Sequence, residues 1–414
     1  MSTRQKEAQR SPAPGGVVCI IVNYRSPWEM LDGCLASIFD NCGSASVSVI
    51  LIDNHSEDGV ALRAKGKFPQ LTLIEMSANE GFAAAVNRGV AQTDEEYVLL
   101  LNTDAVLAPG ALEEMIRVLG DAGDCVAGVA PKMMSSAYPG LIDAIGTVMP
   151  RWGAPFNRGI GQCDLGQYDR SEEVAGVCFG AALIKRRLFE PAAIGPLYEG
   201  YFLYFEDADW CMRAANQGYK FLTAPRAVVM HAHSGVTRYE SLDFKYRLIE
   251  LNTLKMVTRT FASGRGAARI VAARSSRLVA RTIIRRRFVR ANLSTLFAYA
   301  ASLPRLLAER RHLKARRLIS NDEKIFRLAA GEHAYFDTVN YRPQHCLDSL
   351  IYSYTRVWRC KKEPALKQIL ASLAALRHGA AAGSPPAPDH DLEKSFSDEP
   401  PCAQNLLKAA IRGE

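Results

Sequence analysis

Four apolar, β-branched runs punctuate the first hundred residues: VVCIIVNY (17–24), VSVILIDN (47–54), LTLIEMS (71–77) and YVLLLNTD (97–104). Each is continuous rather than alternating, the mark of a strand covered on both faces. Between them, PWEMLDGCLASIFD, a shorter segment near 57–67 and EGFAAAVNRGVAQ have the composition and length of helices. Strands alternating with helices predict an α/β fold built on a parallel sheet, which binds ligands beyond the carboxyl ends of its strands. Those ends are polar here: Asn23-Tyr24, Asp53-Asn54, Ser77 with Asn79, and Asn102-Thr103-Asp104. Turns favour Asn and Asp, but a polar end on every strand exceeds what turn chemistry asks.

The pattern loosens over 131–180 and tightens again in VCFGAALIKRRLF, in YFLYFEDADWCMRAANQGYKF (201–221) and in VVMHAHSGVT (228–237). The second of these sets Glu206, Asp207 and Asp209 directly behind an aromatic run. DWCMRAANQGYKF has helix-forming composition with a Gly218 stop, which places the acids at a helix N-terminus. One acid there suits an N-cap; three, beside a wall of rings, suit something more. An apolar wall raises a carboxylate's pKa and a helix end lowers it, the balance a general base near neutrality needs.

Composition adds an asymmetry. The 414 residues are 48% hydrophobic and 23% charged, a globular balance at a length suggesting more than one unit. Residues 255–317 hold 17 Lys or Arg and a single acid, Glu309. Such a block seeks an anionic partner. Aromatics interleaved as in single-strand binders are sparse, so an anionic membrane surface is the expectation and nucleic acid is not. On a helical wheel for 265–290, Arg274, Arg277 and Arg281 fall on the same side as Ile270, Val271 and Leu278, which is no simple amphipathic pattern. The competing reading is a basic helical layer packed on the domain before it. ANLSTLFAYAASLP (291–304), the longest weakly apolar stretch, falls short of the ~20 residues a spanning helix needs. Ten cysteines without a C-x-x-C pair read as reduced thiols. The expected layout is a disordered tail (1–15), an α/β domain (16–255), a basic helical extension (256–378), and a flexible linker with a short helix (379–414).

No G-x-x-x-x-G-K-[ST] is present and no G-x-G-x-x-G follows the first strand, which disfavours a P-loop enzyme or a dinucleotide oxidoreductase. Asp104, at the end of a buried strand, suits a hard divalent cation, Mg²⁺ or Mn²⁺, with His231 as a second ligand.

The ordered set VNYRS, LIDNHSEDG, NEGFAAAVNRG, YVLLLNTD, FGAALIKRR, FLYFEDADWCMRA and VVMHAHSG resembles family 2 glycosyltransferases of the GT-A fold over about residues 16–260. It looks most like their bacterial rhamnosyltransferase branch. The resemblance implies a Rossmann-like, mostly parallel sheet. It also implies inverting transfer from a nucleotide-diphosphate sugar, such as dTDP-rhamnose, to a hydroxyl of a lipid-linked or polysaccharide acceptor. The setting would be cytoplasmic, at the inner face of the cell membrane. By similarity, Asp53 binds the pyrimidine with Tyr24 and Asn54 near it. Asn79, Gly81 and Asn87 shape the nucleoside pocket, and Asn102 and Thr103 complete the donor site. Asp104 ends the D-x-D match and, with His231, holds the metal; His233 stands close enough to compete. Asp207 matches the catalytic base, and Glu206, Asp209 and Trp210 orient the acceptor or support that base. Asn102 replaces the first acid of D-x-D, and Val86 stands where many relatives carry a basic residue. Rival readings are a UDP-hexose-dependent transferase of the same fold and a non-catalytic sugar-nucleotide or glycan-binding module.

Overall fold

A computed structural model describes residues 15–329 apart from 44, 138–139, 163, 165, 233–241, 285–288, together with 332, 336–337 and 342–343. The expected N-terminal tail to 14, His233, most of the segment beyond 330 and the linker with its helix lie outside the described residues.

The four apolar runs form strands β1 (Val17–Asn23), β2 (Val47–Asp53), β3 (Thr72–Glu75) and β4 (Tyr97–Leu101), joined through helices α1 (Trp28–Asp40), α2 (Val60–Lys67) and α3 (Phe82–Val90). Then come β5 (Ala105–Leu107), α4 (Ala111–Asp121), β6 (Val126–Ser135), short strands β7 (Ile142–Ala144), β8 (Thr147–Val148), β9 (Phe156–Asn157) and β10 (Glu173–Val174), and β11 (Ala181–Lys185). Helix α5 (Glu206–Asn216) precedes the long β12 (Lys220–His231). The sheet order is β10-β12-β6-β11-β4-β1-β2-β3. β1, β2, β3 and β4 run parallel, as do β6 and β12, and β11 is inserted antiparallel between the two groups. Every residue of β4 is buried, as its unbroken apolar sequence demands. One core packs α1 and α4 against one face of the sheet, and a second packs α3, Trp210 and Phe221 against the other.

Among the described residues four helices follow: α6 (Leu242–Thr260), α7 (Gly264–Ile284), α8 (Val289–Ala315) and α9 (Glu323–Leu328). The boundary expected at 255/256 does not exist as a break, because α6 runs through it. Leu254, Met256 and Val257 are buried, and Met256 and Val257 share a cluster with Tyr201, Ala208 and Met212. The helical layer is thus part of the core that supports α5. Arg310 of α8 donates to the carbonyls of Thr258 (2.9 Å) and Ala262 (3.1 Å), covering the C-terminal end of α6. The puzzling arginines of α7 are explained by one buried acid on α6. Glu250 accepts from Arg274 (2.9 Å), Arg277 (3.1 Å) and Arg281 (3.3 Å), so charge and apolar surface face inward together. Among the described residues, no helix is long and apolar enough to cross a membrane.

Candidate active site

The carboxyl ends of the central strands open into a cleft of about 360 Å³. Strand order sets its layout. Tyr24, Asn54, Asn79 and Gly81 line the side built by β1, β2 and β3; Asn102, Thr103 and Asp104 stand at the middle, after β4. Glu206, Asp207 and His231 line it as well, with an apolar portion from Pro155, Phe156, Ile160, Leu203 and Ile249. The carboxylates that the sequence pairs across a hundred residues therefore face one volume.

Strand register brings Asp104 and His231 together. β12 pairs antiparallel with β5, aligning His231 with Ala105, and the amide of Ala232 donates to the Asp104 carbonyl (2.9 Å). His231 Nε2 lies 3.2 Å from Asp104 Oδ1, and its Nδ1 lies 2.7 Å from Asp143 Oδ2. Asp143 is fully buried on β7, which folds back antiparallel onto β6. Sequence reasoning passed it over, although an acid inside the apolar string LIDAI was the available signal. Burial alone would push the imidazole down, but the two carboxylates outweigh it and raise His231 to about 10. Two carboxylates thus flank the imidazole, one on each ring nitrogen. A carboxylate and an imidazole turned to one cleft, the imidazole oriented by a further carboxylate, fit the chemistry of a divalent cation. Among the described residues no group of three or more His, Cys, Asp and Glu side chains forms a metal site alone. Two protein ligands would leave the remaining positions to phosphate oxygens and water, as Mg²⁺ usually has them.

The three acids behind the aromatic run separate into different roles. None caps α5: its N-cap is Phe205, in left-handed backbone, and Glu206 and Asp207 are its first residues. Asp207 Oδ1 accepts from the Ala208 amide at 2.7 Å. Burial raises its pKa, the amides of Ala208, Phe179 and Asp207 itself pull it back, and it stands at about 6. Glu206 is pushed higher, to about 8, by burial and then by the charge of Asp207. Glu206 Oε2 is buried without a hydrogen-bond partner, which a neutral carboxyl tolerates better than a carboxylate. Asp209 points the other way. It is fully buried and bonded to Arg213 (2.8 Å), Arg259 and Tyr201 (2.8 Å). Burial would raise it, but the two guanidiniums hold it below its ordinary value.

Trp210 does not reach the cleft either. It is fully buried, stacked on Phe189, with Nε1 donating to the Gly195 carbonyl. Neither Asp209 nor Trp210 can touch an acceptor, which corrects that part of the expectation; their contacts fix α5. Asp53 and Asn87 are likewise spent inside the fold. The Asp53 carboxylate accepts from Asn23 (2.9 Å) and from the Ser56 hydroxyl and amide, and it does not line the cleft. Asn87 ties α3 to the loop before α5 through the Leu197 carbonyl (3.0 Å) and amide (2.9 Å). Asn54 does face the cleft, where its amide donates to Asn79 Oδ1 (2.9 Å).

The loop that delivers Glu206 and Asp207 is strained. Phe202, Tyr204 and Phe205 all have positive φ, a cost of order 1–3 kcal/mol each. Two devices hold it. Gly81 (φ 88°) lies so close that a Cβ would sit 2.3 Å from the Phe202 carbonyl oxygen, while the Phe82 amide donates to that oxygen. On the other side, fully buried Asn252 of α6 directs Nδ2 at the carbonyls of Tyr201 (3.1 Å), Leu203 (2.8 Å) and Tyr204 (3.1 Å). Asn252→Ala is expected to lower kcat about 10–100-fold with little change in donor KM, because displacement of a reacting group by ~1 Å costs that much. Steady-state kinetics with the donor varied checks it, and an unchanged kcat would show the loop to be self-supporting.

A strand-end cleft pairing an Asp/His couple with a half-buried carboxylate is the site of an enzyme equipped for proton transfer beside a bound cation. The chain belongs to glycosyl transferase family 2, whose pattern matches residues 18–191. It is 30% identical over 241 residues to an N-acetylglucosaminyl-diphospho-decaprenol L-rhamnosyltransferase of Mycobacterium tuberculosis, an alignment covering 52% of this chain and 76% of the relative. It is 24% identical over 260 residues to the succinoglycan biosynthesis protein ExoU of Rhizobium meliloti, covering 60% and 70% of the two chains. Among solved structures it is similar to GalNAc-T7 with UDP, GalNAc and Mn²⁺. That match has TM-score 0.44 and 14% identity, and covers 57% of this chain and about half (48%) of that one. The protein is a glycosyltransferase with a mixed, mostly parallel sheet followed, among the described residues, by helices over 242–328.

Proposed function

We propose that this glycosyltransferase is inverting and metal-dependent. It moves a deoxyhexose, rhamnose from dTDP-rhamnose, onto a hydroxyl of a lipid-linked glycan at the cytoplasmic face of the cell membrane. The observation that carries the mechanism is the shared cleft of Asp104, His231, Glu206 and Asp207. The rhamnose and the lipid-linked acceptor rest on the mycobacterial relative, and the dTDP carrier on the resemblance of the motifs.

Asp207 serves as general base. Its carboxylate takes the proton of the acceptor hydroxyl as that oxygen bonds to the anomeric carbon from the face opposite the diphosphate. The bond from the anomeric carbon to the diphosphate oxygen breaks, and the configuration inverts. Protonated Glu206 keeps the negative charge beside the base to one. Asp104 and His231 would hold Mg²⁺ or Mn²⁺, which supplies electrostatic stabilisation of the leaving diphosphate. Tyr24, Asn54, Asn79 and Gly81 frame the nucleoside, Asn102 and Thr103 adjoin the diphosphate, and the apolar portion around Phe156, Leu203 and Ile249 receives the acceptor.

A panel of nucleotide sugars with Mn²⁺ in a thermal-shift assay tests the donor, because a native-state ligand at ~100 times its Kd adds about 2.7 kcal/mol of stability. The largest shift is expected with dTDP-rhamnose. A larger shift with a UDP-hexose would replace the donor, and stabilisation without release of nucleoside diphosphate would leave a binding module.

A further inference from the structure

The outer face of the α7–α8 hairpin is apolar without being covered by any described part of the chain. At 100° per residue, Arg290, Leu293, Phe297, Ala301 and Arg311 of α8 fall within one outward arc. On α7 the corresponding arc runs from Arg265 and Arg269 to Val279 and Ile283. The exposure is large: Ile283 77%, Phe297 79%, Leu293 54% and Val279 49%. All four lie in the last turns of α7 or the first turns of α8, so they gather at one end of the hairpin. The opposite faces of both helices are apolar too, with Leu278 and Leu306 fully buried. Apolar residues on inner and outer faces cancel in any amphipathicity measure, which is why the wheel of 265–290 looks disordered.

Charge selects the occupant. From 264 to 308 the chain has no Asp or Glu, while arginines border the apolar arc on both helices. Largely buried Arg274 and the more exposed Arg277 and Arg281 answer Glu250, whereas Arg265, Arg269, Arg290 and Arg311 are exposed on the outward arcs. Large apolar side chains at one end of an outward face that carries arginines along its length, on helices too polar to span, match an anionic bilayer surface.

We infer that the α7–α8 end carrying Val279, Ile283, Leu293 and Phe297 inserts into the headgroup layer of an anionic membrane, with Arg290 beside it and Arg265, Arg269 and Arg311 further along the same outward face on lipid phosphates. This deepens the proposed function by naming the surface that brings the enzyme to a lipid-linked acceptor.

The test is flotation of the full chain with phosphatidylcholine vesicles with and without phosphatidylglycerol. Binding is expected only with phosphatidylglycerol, weakening with salt. The double variant Ile283→Glu/Phe297→Glu should lose about tenfold or more in partitioning, while donor hydrolysis in solution stays at the parent rate. The inference is overturned if the parent chain fails to float, if the double variant floats equally well, or if light scattering shows this face pairing two copies. Hydrolysis without flotation would sink the membrane surface alone; flotation without hydrolysis would sink the catalytic reading alone.

Discussion

Asp207→Asn is expected to lower kcat by about 10²–10⁴-fold, the usual contribution of a general base, while the donor still raises the melting temperature as it does in the parent. Glu206→Gln should behave differently. Burial and the neighbouring charge keep Glu206 protonated to about pH 8, so an amide replaces a group that is already neutral, and most of kcat should survive. The contrast matters because both acids line the cleft and either could be named from sequence. The pH profile supplies the sign. A base must be deprotonated, so kcat should fall as pH drops through the raised Asp207 pKa of about 6, with a unit slope on the acid side. An Asp207→Asn enzyme with the parent rate and profile would remove Asp207 from the chemistry.

The second large effect concerns the Asp104–His231 couple. Asp104→Ala should abolish activation by Mn²⁺ and lower kcat on the order of 10³-fold, since stabilisation of a leaving diphosphate is worth several kcal/mol. Asp143→Asn should be milder and more informative. Its carboxylate fixes the far nitrogen of His231 at 2.7 Å, and loss of such a partner typically costs 10–100-fold in metal affinity. Calorimetric Mn²⁺ titration in the presence of nucleoside diphosphate checks both. Saturating Mn²⁺ should restore most of the Asp143→Asn rate and none of the Asp104→Ala rate. Equal behaviour of the two variants would mean that Asp143 is a ligand rather than an orienting group.

The parallel half of the sheet was readable because its signal is local. Four largely apolar runs ended in polar residues, and β1, β2, β3 and β4 fall where those runs lie. Asp104, His231 and Asp207 all line one cleft. Asp53, Asn87, Asp209 and Trp210 do not line the cleft, for one reason. A motif fixes a residue's place along the chain, whereas the direction of its side chain depends on partners such as Ser56, Leu197 and Arg259, which lie elsewhere. Asp143 and Asn252 were missed for the complementary reason. One sits in the stretch with the weakest periodicity. The other looks like an ordinary polar residue in a helix until three carbonyls of a distant loop converge on it. The helical boundary failed because charge composition changes near 255 while the buried face of α6 continues past it.

The grip of α6 on the loop before α5 bears on how this chain can be divided. A cut after residue 255 would sever α6 before Arg259, strip the guanidinium from the buried carboxylate of Asp209 and open the cluster beneath α5. What remained would keep its full set of family motifs and lose the scaffold that aims them, so trimming to the recognisable region should yield an inert or insoluble fragment.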